Sequence, residues 1–256
     1  TKYDDGFRSH LGASLIGHKC KRYLWFNFRW VYHHIHSGRM QRLFNRGHKE
    51  EDRIEEWLKG SGYEVERFDS NGNQFRISSV SSHFGGSSDG FVTIPGLGKC
   101  LLECKTSKDG PEFKTLFENG VEVMKPRHFT QMCVYGKGFG VNYALYICVN
   151  KNNDDIYIEI VELRPSVADE AEEKAGEVIW SQTMPERQSE TPTFWECKNC
   201  DMVEVCFKNK QAEKNCRSCK NAKPVENGQW SCELYGIIPK EYIQNGCDNW
   251  KSILEG

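Results

Sequence analysis

The stretch that decides the reading is Ser87-Ser-Asp-Gly-Phe-Val-Thr-Ile-Pro-Gly-Leu-Gly-Lys-Cys-Leu-Leu-Glu-Cys-Lys105. Its two ends read as strands, Ser87–Ile94 and Cys100–Lys105, and Pro95-Gly-Leu-Gly98 between them as a hairpin turn. On the second strand Glu103 and Lys105 are two residues apart and project from one face, while Cys104 points the opposite way, into the core. Hairpin pairing would bring Asp89 beside Glu103. Two carboxylates suit a hard divalent cation such as Mg²⁺, which takes oxygen ligands. A neighbouring ammonium can align an attacking water and stabilise charge on a phosphate.

Upstream of the hairpin, residues 12–34 read as a helix capped by Ser14, with Leu15, Leu24, Trp25, Phe28 and Val31 at apolar positions. Ser37 caps a second helix that runs to about Lys59, with Leu43, Phe44, Ile54, Trp57 and Leu58 as its buried stripe. Tyr63–Phe68 alternates like a strand. Downstream, residues 111–119 form a short helix and Pro126 starts a firmer one through Tyr135. Val141–Asn150 and Ile156–Glu162 read as strands joined by an Asn152-Asn-Asp-Asp155 turn. Residues 166–183 make an acidic amphipathic helix with a solvated outer face. The order predicts an α/β domain with a mixed sheet over residues 1–190, followed by a cysteine-rich module over residues 191–256.

The chain has 256 residues, 38% hydrophobic and 27% charged, with a net charge of -2. That composition excludes a disordered tail and a uniformly basic nucleic-acid coat. No apolar run approaches the ~18 residues of a membrane span, and Thr1-Lys-Tyr-Asp-Asp5 lacks the apolar core of a secretory signal. The expectation is a cytoplasmic protein without a membrane partner. Charge is unevenly spread: residues 1–49 hold ten Lys and Arg against Asp4 and Asp5, whereas residues 151–190 hold eleven acids against four bases. Such asymmetry suits one face for a polyanion and another that repels it. Lys21, Arg22, Arg46 and Lys151 are the candidate phosphate contacts, and Tyr23, Trp25, Phe26 and Trp30 interleave with the first of them as stacking or core residues.

Twelve cysteines without a secretory signal point to metal rather than disulfides. Cys100, Cys104, Cys133 and Cys148 sit in apolar runs and read as buried small hydrophobes. Cys216-x2-Cys219-x12-Cys232-x14-Cys247 has the soft-ligand spacing of a tetrahedral Zn²⁺ site, and a tail so poor in aliphatic residues needs such a staple. Cys197-x2-Cys200-x5-Cys206 supplies three thiols and lacks a fourth.

The hairpin resembles the PD-(D/E)XK nuclease superfamily, in which an Asp precedes an (Asp/Glu)-x-Lys, with Ser88 here in place of the usual proline. Gln131-Met-Cys-Val-Tyr135, on the next helix, matches the Gln-x-x-x-Tyr motif of RecB-type nucleases, and its i,i+4 spacing puts both side chains on one face. Arg46-Gly-His-Lys-Glu-Glu51 stands where these enzymes carry a helix-borne acid or histidine. Glu51 resembles the helix glutamate of lambda exonuclease, and His48 competes for the role. The layout of Cys20 before the core and Cys197, Cys200 and Cys206 after it resembles the AddB-type, Dna-two-type and CRISPR adaptation nucleases, which hold a 4Fe–4S cluster on such ligands. Zn²⁺ on the same thiols, with His18, is the alternative. The Cys-Arg-x-Cys tail and the motif around Gly12–Trp25 look like phage-encoded exonucleases of this superfamily.

The resemblance implies a restriction-endonuclease-like mixed sheet and a metal-dependent DNA exonuclease. Glu51, Asp89, Glu103 and the carbonyl of Cys104 would hold Mg²⁺ or Mn²⁺, Lys105 would align water, and Gln131 and Tyr135 would position the strand. It also implies DNA ends or single strands as substrate, a single-strand annealing or binding protein as a partner, and the host cytoplasm if the chain is phage-encoded. A structure-specific endonuclease, an end trimmer, and a non-catalytic metal-stabilised DNA-binding protein are the rivals. Polarity, strand preference and oligomeric state stay open.

Overall fold

The computed structural model describes residues 2–3 and 7–255; Thr1, Asp4, Asp5, Gly6 and Gly256 lie outside them. The chain divides into two units, one drawn from Thr1–Tyr3, Ile35–Ile77 and Gly86–Ala171, the other from Asp4–His34, Ser78–Gly85 and Glu172–Gly256.

The first unit is built on a five-stranded sheet: β1 (Glu64–Glu66), β2 (Phe91–Ile94), β3 (Gly98–Ser107), β4 (Tyr143–Asn150) and β5 (Ile156–Glu162), in the spatial order β5-β4-β3-β2-β1. β3 and β4 run parallel, with Glu103 opposite Tyr146, and the other pairs are antiparallel, so the sheet is mixed as expected. The hairpin β2–β3 forms where its Pro-Gly-Leu-Gly turn placed it, Phe91 pairing with Leu101 and Ile94 with Gly98. Helices α1 (Gly38–Gly60), α2 (Pro111–Met124) and α3 (Pro126–Phe139) lie wholly in this unit, with a short ladder of Lys2–Tyr3 against His36–Ser37 and the first half of the expected acidic helix, Pro165–Trp180. Prolines open α2 and α3, where a missing N–H costs nothing. Ser37 caps α1, its hydroxyl accepting from the Met40 N–H at 3.3 Å.

One face of the sheet carries Val92, Cys100, Leu102, Cys104, Leu145, Ile147 and Val149, which pack with Ile54 and Leu58 of α1. Cys104 therefore does point into the core, and Glu103 and Lys105 take the opposite face. Phe44 and Trp57 of the expected α1 stripe stay partly exposed.

The second unit contains two short helices, Ala13–Ile16 and Lys21–Phe28, in place of one helix over 12–34. The break falls at Gly17–Cys20. Gly12 rather than Ser14 precedes the first helix, and the Cys20 sulfur caps the second, accepting from the Tyr23 N–H at 3.4 Å. Its core is aromatic, with Trp25, Phe26, Phe28 and Trp230 all fully buried. The segment 191–256 lies within this unit and contributes a small antiparallel sheet of Ala222–Pro224, Trp230–Cys232 and Gly236–Ile237. Among the described residues, no helix is long and apolar enough to cross a membrane.

Candidate active site

The centre of the first unit is Glu103, fully buried on β3. Its ion-pair partner is the Lys105 ammonium, two residues along the same strand face. Both Glu103 carboxylate oxygens are otherwise without a hydrogen-bond partner. Burial, with Asp89 and Glu51 adding repulsion, pushes the Glu103 carboxyl up to about 7 against the pull of Lys105. Lys105 is held above its ordinary value, because attraction to Glu103 and Asp89 outweighs its own desolvation.

Asp89 is not inside a strand. Residues 88–90 interrupt the strand direction between Phe84–Ser87 and β2. Gly90 causes the break: its φ is 132°, and a Cβ there would stand 2.5 Å from the Glu66 carbonyl oxygen. The interruption lets the Asp89 carboxylate turn across to β3, where Oδ2 accepts the Cys104 N–H at 2.8 Å.

Glu51 comes from α1. Its carboxylate accepts from Arg67 Nη2 at 2.9 Å, and Arg67, almost wholly buried, also donates to Asp52 at 2.7 Å. Burial and then Asp89 push the Glu51 carboxyl up, while Arg67, His48 and Lys105 pull it down. His48 thus stands within electrostatic reach of Glu51. Its neighbour Glu50 is buried and tied to Arg53 at 3.0 Å and Arg46 at 3.8 Å, so of the two adjacent glutamates Glu51 is the one turned to the acidic cluster.

Gln131 and Tyr135 lie on one face of α3, both buried and hydrogen-bonded to each other. Burial and the nearby Glu103 push the Tyr135 phenol up. Two residues that sequence reasoning missed complete the surroundings. His128, at the start of α3, meets the Tyr146 hydroxyl at 2.9 Å. Burial, with Lys105, Lys125 and Arg127, pushes its imidazole down to about 3. The other is Gly86, against which the Tyr135 ring packs. The signal for His128 was its place three residues before Gln131 on the same helix. Tyr146 could be found only through its β4 register opposite Glu103.

Of the basic candidates, Arg46 donates to the Lys151 carbonyl at 2.9 Å, and Lys151 in turn bonds the Ser107 carbonyl at the end of β3. In the second unit Lys21 pairs with Glu177. The Arg22 side chain is buried and turned inward, donating to the Pro185 carbonyl at 2.6 Å and meeting the Cys206 sulfur at 3.8 Å.

The cysteines sort as spacing and, for Cys20, the family resemblance grouped them. Cys20, Cys197, Cys200 and Cys206 line one small cavity. Cys216, Cys219, Cys232 and Cys247 line another, of about 290 Å³. All twelve are free thiols. Cys100, Cys104, Cys133 and Cys148 are buried among apolar side chains as expected. Among the described residues, no group of three or more His, Cys, Asp or Glu side chains converges closely enough to hold a metal ion as it stands. The donor chemistry nonetheless fits one: a buried carboxylate with orphaned oxygens beside two further acids, and two sets of four thiols that each share a cavity.

No family model matches the chain, and no curated protein does either. Among solved structures it is similar to an alkaline exonuclease from Laribacter hongkongensis, at 16% identity and a TM-score of 0.48, covering 66% of this chain and 86% of that one. It is also similar to a phage-related exonuclease from Haemophilus somnus, at 12% identity and a TM-score of 0.44, covering 62% of this chain and 77% of that one. With so little sequence in common, the chemistry is read from the side chains themselves.

Proposed function

We propose that this chain is a Mg²⁺- or Mn²⁺-dependent deoxyribonuclease of the PD-(D/E)XK, RecB-like kind that hydrolyses DNA from its ends, in phage-type recombination or DNA processing. The observation that carries the reading is Glu103: a fully buried carboxylate paired with the Lys105 ammonium, its oxygens otherwise without a hydrogen-bond partner, and within electrostatic reach of Asp89 and Glu51. Asp89 and Glu51 both raise the proton affinity of Glu103, and such a cluster of acids is costly without a cation. Glu51, Asp89 and Glu103, with the Cys104 carbonyl, would hold it. A divalent cation there would polarise a phosphoryl oxygen and offset the charge that develops on the phosphate.

Lys105 would hold the attacking water on the strand face it shares with Glu103. Gln131 and Tyr135, fixed by their mutual hydrogen bond, would position the sugar–phosphate strand, with His48 beside Glu51 as a further polar contact. Arg46 and Lys151 would take phosphates beyond the scissile one and Lys21 another along the N-terminal segment, whereas the expected contact of Arg22 gives way to its inward bond to the Pro185 carbonyl. A 4Fe–4S cluster on Cys20, Cys197, Cys200 and Cys206, or Zn²⁺ on the same thiols, would be structural, as would Zn²⁺ on Cys216, Cys219, Cys232 and Cys247. A single-strand annealing or binding protein is the partner such an enzyme would serve, in the cytoplasm.

The test is digestion of end-labelled linear duplex, linear single strand and closed circular DNA with Mg²⁺. Shortened linear DNA, intact circles and a dead Lys105→Ala variant would support an exonuclease, and the label position gives its polarity. Cut circles would make it an endonuclease. Metal-replete wild type that cuts nothing would leave a DNA-binding protein as the better account.

A further inference from the structure

Two arginines of the second unit are buried without an acid among the described residues. Arg29 is 0% and Arg217 1% exposed. Both lie against Trp230, with Cζ 5.0 Å and 4.5 Å from its ring, and Arg217 also faces Trp30 at 4.3 Å and Phe28 at 4.7 Å. Arg29 Nη2 donates to the carbonyls of Cys219 at 3.1 Å and Ala222 at 2.9 Å. Arg217 donates to the carbonyls of Arg8 and Ser9, each at 3.0 Å. Arg29 Nε and Nη1 and Arg217 Nε have no partner. Among the described residues, no carboxylate pairs with either guanidinium. Carbonyl dipoles and ring faces spread a cation's charge without cancelling it, and a buried cation without a counter-charge is strongly disfavoured.

The cysteine loops lie on these same residues. Arg217 stands inside Cys216-Arg-Ser-Cys219, Arg29 grips the Cys219 carbonyl, and Trp230 is two residues before Cys232. The three cysteines of these loops line one cavity with Cys247 as its fourth thiol, and the Cys219 sulfur already meets the Lys251 N–H at 3.5 Å. Four neutral thiols leave the two cations uncompensated. Four thiolates around a divalent metal ion carry two negative charges, which two guanidinium groups balance. Coulomb attraction at low dielectric reaches well beyond contact distance, so the sulfurs need not touch the guanidinium groups.

We propose that Arg29 and Arg217 are the built-in counter-charges of a four-thiolate divalent-metal centre at Cys216, Cys219, Cys232 and Cys247. The inference rests on the zinc reading given under Proposed function and adds the residues that set the charge state of the site. It makes the arginine pair and the metal mutually dependent: each is poorly tolerated in the interior without the other.

The test compares wild type, Cys232→Ser, Arg29→Met, Cys247→His and the Arg29→Met/Cys247→His double variant as full chains purified with their metals. Zinc per chain and the rate of zinc transfer to a chromogenic chelator are the readouts. Zinc in wild type that falls by one ion in Cys232→Ser establishes the zinc reading by itself. Arg29→Met should then release zinc about tenfold faster, and Cys247→His, which replaces a thiolate by a neutral ligand, should bring the double variant back to within about threefold of Cys247→His alone. Additive losses would mean that Arg29 only packs, and would overturn the counter-charge while leaving zinc in place. Wild type without that zinc overturns both. Should Arg29→Met alone not fold, a folded zinc-bound double variant supports the proposal and an unfolded one overturns it.

Discussion

Gly86 makes room for Tyr135: a Cβ at residue 86 would stand 2.5 Å from the Tyr135 hydroxyl and 3.2 Å from its ring. The Tyr135 hydroxyl is also hydrogen-bonded to Gln131, so displacing it puts that bond at stake. Gly86→Ala should therefore cost about 1–3 kcal/mol of stability, as overpacking does, and displace the ring. Tyr135→Phe removes the clashing oxygen. The Gly86→Ala/Tyr135→Phe pair should recover most of the lost stability in thermal melts but none of the DNA positioning assigned to the phenol. Equal melting points for wild type and Gly86→Ala would refute the contact.

Lys105 is placed to act on the reaction more than on binding. Lys105→Ala should lower the cleavage rate by at least about 10²-fold, the usual scale for losing a group that acts in the transition state. DNA affinity measured in Ca²⁺ should change no more than about threefold. A parallel loss of affinity would make Lys105 a phosphate anchor.

The proton on Glu103 should compete with the cation. Its carboxyl is pushed up to about 7, so between the ordinary carboxylate range and about 7 the folded metal-free chain holds a proton that the unfolded chain has lost. Its contribution to stability then falls as pH rises through that window. Mn²⁺ binding followed by calorimetry should strengthen from pH 6 to pH 8 with proton release, and the cation should stabilise the fold most at the upper end. Affinity that is flat across this range would remove Glu103 from the ligand set.

His128 is expected to stay neutral at working pH. Burial first, then Lys105, Lys125 and Arg127, push it down to about 3, so the folded chain lacks a proton that the unfolded chain takes up near 6.5. Stability from this group is complete above about 6.5 and is lost as pH falls toward 3. Nitrogen NMR of the imidazole should show no titration between pH 5 and 8, and a midpoint near 6.5 would contradict the burial described here. A neutral His128 carries one ring N–H donor and one acceptor nitrogen, and its Nδ1 meets the Tyr146 hydroxyl.

Removing the metals should unfold part of the chain. On the proposed thiolate centres, a segment with few buried aliphatic residues depends on its metals, so a strong chelator is expected to lower the melting point by more than about 10 °C and expose the eight clustered thiols to alkylation, leaving Cys100, Cys104, Cys133 and Cys148 protected. Cys200→Ser should remove one centre and leave the other. An anaerobic preparation that holds iron would assign the Cys20, Cys197, Cys200 and Cys206 set to an iron–sulfur cluster, and zinc alone would assign it to Zn²⁺.

Local chemistry made much of the site legible. The Pro-Gly-Leu-Gly turn set the register of the β2–β3 hairpin, and the two-residue strand period put Glu103 and Lys105 on one face and Cys104 on the other. The i,i+4 spacing did the same for Gln131 and Tyr135 on α3, and cysteine spacing separated Cys197, Cys200 and Cys206 from Cys216, Cys219, Cys232 and Cys247, while Cys20 joined the first group only through the family resemblance. What depends on residues distant in sequence was decided only by the tertiary structure. Gly90 breaks the strand because the Glu66 backbone passes against it, and that break is what turns Asp89 toward Cys104. Arg53 and Arg46 hold Glu50 away and leave Glu51 as the acid that feels Asp89, and parallel pairing of β3 with β4 brings Tyr146, and with it His128, beside Glu103. Arg29 and Arg217 look in the sequence like two more surface cations; only burial, which removes water and leaves them without a carboxylate, shows that they need a counter-charge. Periodicity and spacing speak for neighbours along one element, whereas desolvation and long-range charge exist only once the chain has closed on itself.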